Sequence, residues 1–382
     1  MKILITTDLF TTATNGVVTS VKNLYDELQK KGHDVRILTL SETHHSRKEG
    51  TVTYIRSMPI KVYPDVRMSF AKRHPLIKEL IEWKPDVIHT QCEFFTFRFA
   101  SYISKKTKAP LIHTYHTMYE QYVSYIVPGK RLGHFIVRTL SRNILKHVKR
   151  IIVPTPKVED TLLGYDMHQT ICVVPSGISL EQHKKRLCDE ERTQKRRALG
   201  IADDQVVLLN LGRLGTEKNL EELVAFYAKA SKLHEDLRFM IVGDGPAKAS
   251  LEKLAATLGV SDRVIFTGMV KPSEVQKYYQ LGDIFVSAST SETQGLTYVE
   301  AAANGLPLLC REDLCLKGVV IQGENGYAYT NEAEFLESLK VIMEDPAWLS
   351  SARRRSQELA ATFDKSAFGD AVEKVYQDTL QA

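Results

Sequence analysis

The sequence predicts an α/β protein made of two doubly wound parallel sheets, and three observations predict it. Short apolar runs of strand length alternate with segments of helical periodicity through both halves. The alternation stops at an almost wholly charged stretch, KKRLCDEERTQKRR (184–197), and then starts again. The 382 residues, 43% hydrophobic and 25% charged, are long for one domain and natural for two.

Each element has its own reason. KILIT (2–6) is a short apolar strand, and residues 17–31 form a helix with Val17, Val21, Leu24 and Leu28 on one face. Gly32 ends that helix, and HDVRILTL carries the next strand. DVIHT (86–90), PLIHTYH (110–116), RIIVPT (150–155) and ICVVP (171–175) follow as strands. Short buried strands in βα repetition suit a parallel sheet covered on both faces. The second half repeats the pattern with strands at 205–212, 237–245, 263–268 and 283–289, and helices at 219–233, 247–258 and 272–281. Phe368, Val372, Val375, Tyr376 and Leu380 recur at helical spacing near the C-terminus. The charged stretch 184–197 reads as solvated surface just past the domain join. The expected division is 1–175, 176–360, and a C-terminal helix within 361–382 that packs back on the first domain. Two such domains present a cleft between the carboxyl edges of their sheets, where open α/β sheets bind ligands.

Composition narrows the function. No apolar run approaches the ~18–20 residues of a membrane-spanning helix, and the chain enters its first strand without a signal-peptide pattern, so a cytosolic protein is expected. Cys92, Cys172, Cys188, Cys310 and Cys315 are odd in number and scattered, which suits reduced thiols. The net charge of +5 conceals an asymmetry: residues 1–175 hold 26 Lys and Arg against 15 Asp and Glu, and residues 176–382 hold 25 against 31. The basic half suits an anionic membrane, an anionic substrate or nucleic acid. No nucleic-acid motif accompanies it, so nucleic acid is not an expected partner. No aspartate-rich metal motif occurs, and neither a cofactor nor a catalytic metal is expected.

The loops after strands carry the candidate chemistry. GRLGTEKNL follows the strand at 205–212 and places Arg213 and Lys218 near a helix entrance, where two cations suit a diphosphate or form ordinary surface charge. The G-D-G of residues 243–245 by itself marks a tight turn. SETQGLTYVE (291–300) follows the strand at 283–289. There Gly295 admits close backbone approach, and a helix starting near Leu296 aims free N–H groups at the same place. Glu292 and Glu300 flank those donors. Backbone N–H groups suit phosphate oxygens, and carboxylates accept from sugar hydroxyls, so the set suits a nucleotide sugar; a capping acid and a solvated helical acid are the other reading.

These residues resemble the GT4 family of retaining glycosyltransferases, which has the two-domain GT-B fold. The resemblance rests on E-x7-E at Glu292 and Glu300, on Arg213 and Lys218, on G-D-G-P at 243–246 and on VVPSGIS at 173–179. It spans nearly the whole chain, with the motifs in the family's order. It implies that Glu300 holds the ribose hydroxyls and Glu292 the hydroxyls of the transferred sugar. It further implies that Arg213 and Lys218 bind the diphosphate and help it depart. Gly295, Leu296 and Thr297 would line sugar and phosphate, and Val270 would contact the base. The usual join reads PNG followed by an acid; here Ser176 and Ser179 occupy those places.

The first domain is expected to bind the acceptor. Its loop TTDLFTTATNGVVTS ends with Asn15 and Gly16 at a helix start, a place suited to close ligand approach, and Gly16 is expected among the donor-binding residues. IHTYHTMYEQY brings His113, His116, Tyr119, Glu120 and Tyr122 to another strand end. The resemblance matches His116 to the family's active-site histidine. More narrowly, YHTMYEQYVSYI and NGVVTSVKNLYDELQKKGHDV resemble bacterial diacylglycerol glucosyltransferases. That implies transfer of glucose from UDP-glucose to the 3-hydroxyl of diacylglycerol with retention, for membrane glycolipid and lipoteichoic acid anchor synthesis. Galactosyl transfer, or a glycolipid or soluble acceptor, is the nearest alternative. A non-catalytic sugar-nucleotide-binding protein is the alternative of another class.

Residues 131–150 supply separate physical support. Leu132, Phe135, Ile136, Leu140, Ile144 and Val148 form an apolar stripe beside Arg131, Arg138, Arg142, Lys146, Lys149 and Arg150. Such a helix suits the anionic inner surface of a membrane; packing of the stripe on its own sheet is the other reading. FAKRHPLIKELIEWK (70–84) adds a second basic, apolar segment.

Overall fold

A computed structural model of the chain describes residues 1–10, 16–60, 67–119 and 129–382. They form two compact units, Met1–Ile178 with Lys365–Ala382, and Ser179–Asp364.

The first unit holds β1 (Lys2–Thr6), β2 (Asp34–Leu40), β3 (Arg47–Glu49), β4 (Val52–Ile55), β5 (Met58–Pro59), β6 (Arg67–Met68), β7 (Val87–Thr90), β8 (Leu111–Thr114), β9 (Arg150–Val153) and β10 (Thr170–Val173). Eight of them form one sheet in the order β10-β9-β8-β7-β1-β2-β4-β3, parallel except for β3 against β4. The strands β5 and β6 make a small antiparallel ribbon. The chain winds outward from β1 to β4, then returns to β7 on the other side of β1. Thr6 therefore lies in register with Thr90, and the loops after β1 and β7 open side by side at a switch point. Ile3, Leu4 and Ile5 are fully buried, as strands covered on both faces require.

The helix Lys365–Gln381 belongs to this unit. Phe368, Val372, Val375 and Tyr376 join the apolar cluster of Ile3, Ile5, Leu24 and Leu28. Gly369 lets it lie close to the helix Gly16–Lys30, because a Cβ at 369 would stand 2.8 Å from the Glu27 Cβ.

The second unit holds β11 (Val206–Leu211), β12 (Leu237–Val242), β13 (Val264–Gly268), β14 (Ile284–Ser287), β15 (Leu308–Arg311) and β16 (Gly326–Tyr329). They form a parallel sheet in the order β13-β12-β11-β14-β15-β16. Its switch point falls between β11 and β14. Two doubly wound sheets are what the alternation of strands and helices predicts.

Two expectations need correction. The charged stretch is not all solvated surface: Asp189–Ala198 is a helix, and Arg196 on it is fully buried. Its guanidinium donates to Asp283 Oδ2 at 3.0 Å and to the Leu281 carbonyl at 3.1 Å. Asp283 also accepts from the Val207 amide at 2.9 Å, so this buried pair ties the helix to the root of the sheet.

The helix expected over 131–150 spans Lys130–Leu145. Lys149 donates its backbone N–H to Leu111, and Arg150 opens β9, its side chain reaching the Asp378 carbonyl at 3.2 Å. Pairing with β8 pulls these two residues off the helix, so they do not share its cationic face. The apolar stripe also divides. Gly133, Val137, Ser141 and Leu145 face inward at four-residue spacing. Leu132, Phe135 and Leu140 remain 52%, 63% and 53% exposed, beside exposed Arg131, Arg142 and Lys146. Arg138 and Arg142 pair with Asp166.

Candidate active site

In the second unit the switch point places the loops after β11 and β14 next to each other. The loop after β11 is shaped by its neighbour after β12. Leu214 donates its N–H to the Asp244 carbonyl, and Ala247 donates to the Leu214 carbonyl, both at 2.9 Å. Gly243 has φ +135°, and a Cβ there would lie 1.9 Å from the Gly212 carbonyl oxygen. The G-D-G turn thus has a structural reason: it admits the backbone that carries Arg213. The Arg213 guanidinium pairs with Glu217. Lys218 Nζ pairs with Glu292 Oε1 at 2.6 Å, which joins the two loops across the switch point.

Gly295 begins the next helix, Leu296–Ala303, with φ +74°. A Cβ there would stand 2.5 Å from the Tyr298 ring, so only glycine fits this start. The helix has no side-chain cap, which leaves the first amides, of Leu296 and Thr297, directed at the loop end. Buried Tyr298 anchors it through its hydroxyl, 2.9 Å from Ser287 Oγ at the end of β14.

Glu300 lies one turn into this helix. It keeps some exposed surface, while its carboxyl group is closely surrounded by protein. Burial pushes its pKa up to about 7, against the lowering effect of the Tyr279 hydroxyl, which donates to Oε2 at 2.7 Å. The other oxygen, Oε1, makes no hydrogen bond to the described residues. A carboxylate with one oxygen clamped and the other open is built to accept from a ligand. Val270 follows the edge strand β13, half-buried beside exposed Met269. Among the second-unit candidates, Lys218 and Glu292 are in contact, and Gly295, Leu296, Thr297 and Glu300 share one helix start.

In the first unit the loops after β1, β7 and β8 converge. His113 sits inside β8, fully buried, with Nδ1 2.7 Å from Thr90 Oγ1 and Nε2 3.2 Å from Glu93 Oε1. His116 lies just past β8, with Nε2 2.7 Å from Gln91 Oε1. Burial, and then nearby His113, pulls its pKa down to about 3. Tyr119 donates to Glu93. Asp8, after β1, accepts from the amides of Phe95 and Thr96 and caps the helix Phe95–Thr107; burial pushes its pKa up. Gly16 opens the helix Gly16–Lys30 and is exposed. Asn15, Glu120 and Tyr122 lie outside the described residues.

Sequence reasoning missed Gln91, Glu93, Asp8 and Tyr279. A signal existed for the first two. VIHTQCE and LIHTYH share the letters IHT, and their strands are neighbours with Thr90 in register with His113. Their polar residues therefore emerge at one place. Tyr279 reaches Glu300 only through packing between helices.

Comparison with known proteins agrees with this architecture. Residues 14–182 match Glycosyltransferase Family 4, and residues 191–362 match Glycosyl transferases group 1. The chain is 33% identical over 383 residues to the α-monoglucosyldiacylglycerol synthase of Streptococcus pneumoniae, covering all of this chain and 86% of that one. It is 31% identical over 392 residues to the enzyme of the same name from Acholeplasma laidlawii, covering all of this chain and 98% of that one. The structure of Anabaena HepE in complex with UDP superposes with a TM-score of 0.77 at 15% identity, over 99% of this chain and 100% of that one. Sucrose-phosphate synthase from Thermosynechococcus elongatus superposes with a TM-score of 0.75 at 20% identity, over 99% and 98%. These likenesses at low identity concern the fold. Full-length identity above 30% and both family matches concern descent: the chain belongs to the GT4 family of glycosyltransferases and has the GT-B fold.

Proposed function

We propose that the protein transfers glucose from UDP-glucose to the 3-hydroxyl of diacylglycerol, with retention, at an anionic membrane surface. One observation carries the donor half of this reading. The switch point between β11 and β14 gathers Lys218, an uncapped helix start at Gly295 and a buried carboxylate with one open oxygen, Glu300 Oε1. Cations and amides suit the diphosphate, and the open carboxylate oxygen suits a ribose hydroxyl. Glu292, on the same loop, is assigned to hydroxyls of the sugar. When the bond from the sugar to the diphosphate breaks, UDP takes both electrons. Arg213, Lys218 and the amides of Leu296 and Thr297 offset that charge, an electrostatic contribution. Val270 is assigned to the base. No metal enters this scheme.

The first unit is assigned the acceptor, with His116 as the candidate catalytic residue. Full-length similarity to two α-monoglucosyldiacylglycerol synthases supports diacylglycerol as acceptor. Exposed Leu132, Phe135 and Leu140, flanked by Arg131, Arg142 and Lys146, support a peripheral contact with lipid. Among the described residues no helix is long and apolar enough to cross a membrane. Calorimetric titration with UDP, UDP-glucose and UDP-galactose tests the donor assignment. UDP and UDP-glucose are expected to bind, and to lose affinity together in Glu300→Ala; undiminished affinity in a folded Glu300→Ala protein overturns it.

A further inference from the structure

We propose that Gln91 is a positioning residue that fixes the tautomer of His116, as the middle of a hydrogen-bond chain that starts on the C-terminal helix. An amide side chain has an oxygen that only accepts and a nitrogen that only donates. Gln91 Oε1 lies 2.7 Å from His116 Nε2, so that nitrogen carries the hydrogen and Nδ1 is the basic nitrogen of the ring. Gln91 Nε2 lies 3.1 Å from His89 Nε2, which must therefore accept. The Thr114 hydroxyl lies 2.7 Å from the same nitrogen and shares its single lone pair with the Gln91 amide. The hydrogen of His89 is then on Nδ1, 2.7 Å from the Tyr376 hydroxyl. Turning the amide over would invert both rings together, so neither tautomer is independent of the other.

The chain is built rigidly. Gln91 is buried, and its backbone N–H donates to the Thr6 carbonyl at 2.8 Å, at the switch point. His89 and Tyr376 are fully buried, their rings edge to face at 5.5 Å. Among the described residues, the titratable groups around His116 are His89 and His113, with Glu93 bonded to His113 and Tyr119. Burial holds His89 well below its usual range and His116 at about 3, so both rings are neutral at working pH. His116 thus serves as a neutral imidazole of set orientation. Its consequence for turnover rests on the reading of His116 as catalytic.

Nitrogen-15 NMR of histidine-labelled protein tests the inference, with His116 signals assigned by a His116→Gln variant. The expected parent spectrum has Nε2 protonated and Nδ1 unprotonated from pH 5.5 to 8; a protonated Nδ1 overturns the proposal. In Gln91→Leu the His116 signals should move toward a mixture of tautomers. Turnover should fall by about tenfold or more, with UDP-glucose affinity kept. Gln91→Glu accepts from both rings but donates to neither, and should give His89 or His116 a titration above pH 5. If Gln91→Leu does not fold, Tyr376→Phe removes the partner of His89 Nδ1 and should shift the His89 and His116 signals in the same sense. Parent-like spectra in these variants overturn the proposal. A His116→Ala enzyme with normal turnover defeats only the catalytic reading, because the tautomer is read directly.

Discussion

Replacing Glu300 by Gln should stabilise the second unit at high pH while weakening donor binding. The substitution keeps the shape of the side chain and an oxygen able to accept from Tyr279, which lies 2.7 Å from Oε2 in the parent. It deletes the charge. Burial raises the Glu300 pKa from 4.5 to about 7, so the folded state holds the proton more tightly than the unfolded chain does. The favourable contribution of that proton is complete below pH 4.5 and is lost as pH rises through 7. The rise corresponds to at most about 3 kcal/mol at pH 8. Because Glu300 keeps some exposed surface, about 1–2 kcal/mol is the expected gain. Denaturant unfolding followed by Trp348 fluorescence, in a Trp83→Phe background, measures it in the right unit. The variant should gain stability over the parent at pH 8 and little or none at pH 4.5. Its affinity for UDP-glucose should fall by about 1.5–3 kcal/mol, roughly ten- to hundredfold, through loss of a charged acceptor. Equal stability differences at both pH values would mean that burial does not raise the proton affinity of Glu300.

Three further outcomes follow from the same geometry. His116→Ala should leave UDP-glucose affinity intact, measured by calorimetry, and cut turnover strongly; near-normal turnover would make His116 a packing residue. Gly243→Ala must move a backbone carbonyl that would lie 1.9 Å from the new Cβ. It should lower stability by about 2 kcal/mol in denaturant unfolding and weaken donor binding through the displaced Arg213 loop. Phe135→Asp with Leu140→Asp should reduce sedimentation with anionic vesicles, without loss of thermal stability, because both side chains are more than half exposed; unchanged sedimentation would place the membrane contact elsewhere.

The strands beside both switch points are legible in the sequence because they are short, apolar and bounded by glycine or polar turns. LLCR (308–311) and GYAY (326–329) do not stand out in the same way: the first ends in Cys310 and Arg311, and the second opens on Gly326 and has little apolar content. Charge alone misleads over 184–197, since nothing local distinguishes Arg196, buried against Asp283, from its solvated neighbours. Helical periodicity likewise overran its limit at 145 and ran into Arg150, which RIIVPT already marks as a strand start and which pairs with β8. In the candidate site, glycine and spacing mark the Gly295 helix start well. The Glu300–Tyr279 and His116–Gln91 bonds join residues 21 and 25 positions apart and arise from tertiary packing.

The most direct test of the proposed activity is transfer itself. Purified protein is given UDP-glucose or UDP-galactose with vesicles containing diacylglycerol or glucosyl-diacylglycerol, and the lipid products are separated and their anomeric linkage read by NMR. One dominant product is expected, α-glucosyl-diacylglycerol, from UDP-glucose and diacylglycerol. Absence of that product from an enzyme that binds UDP-glucose, or efficient transfer only to glucosyl-diacylglycerol or a soluble acceptor, would contradict it.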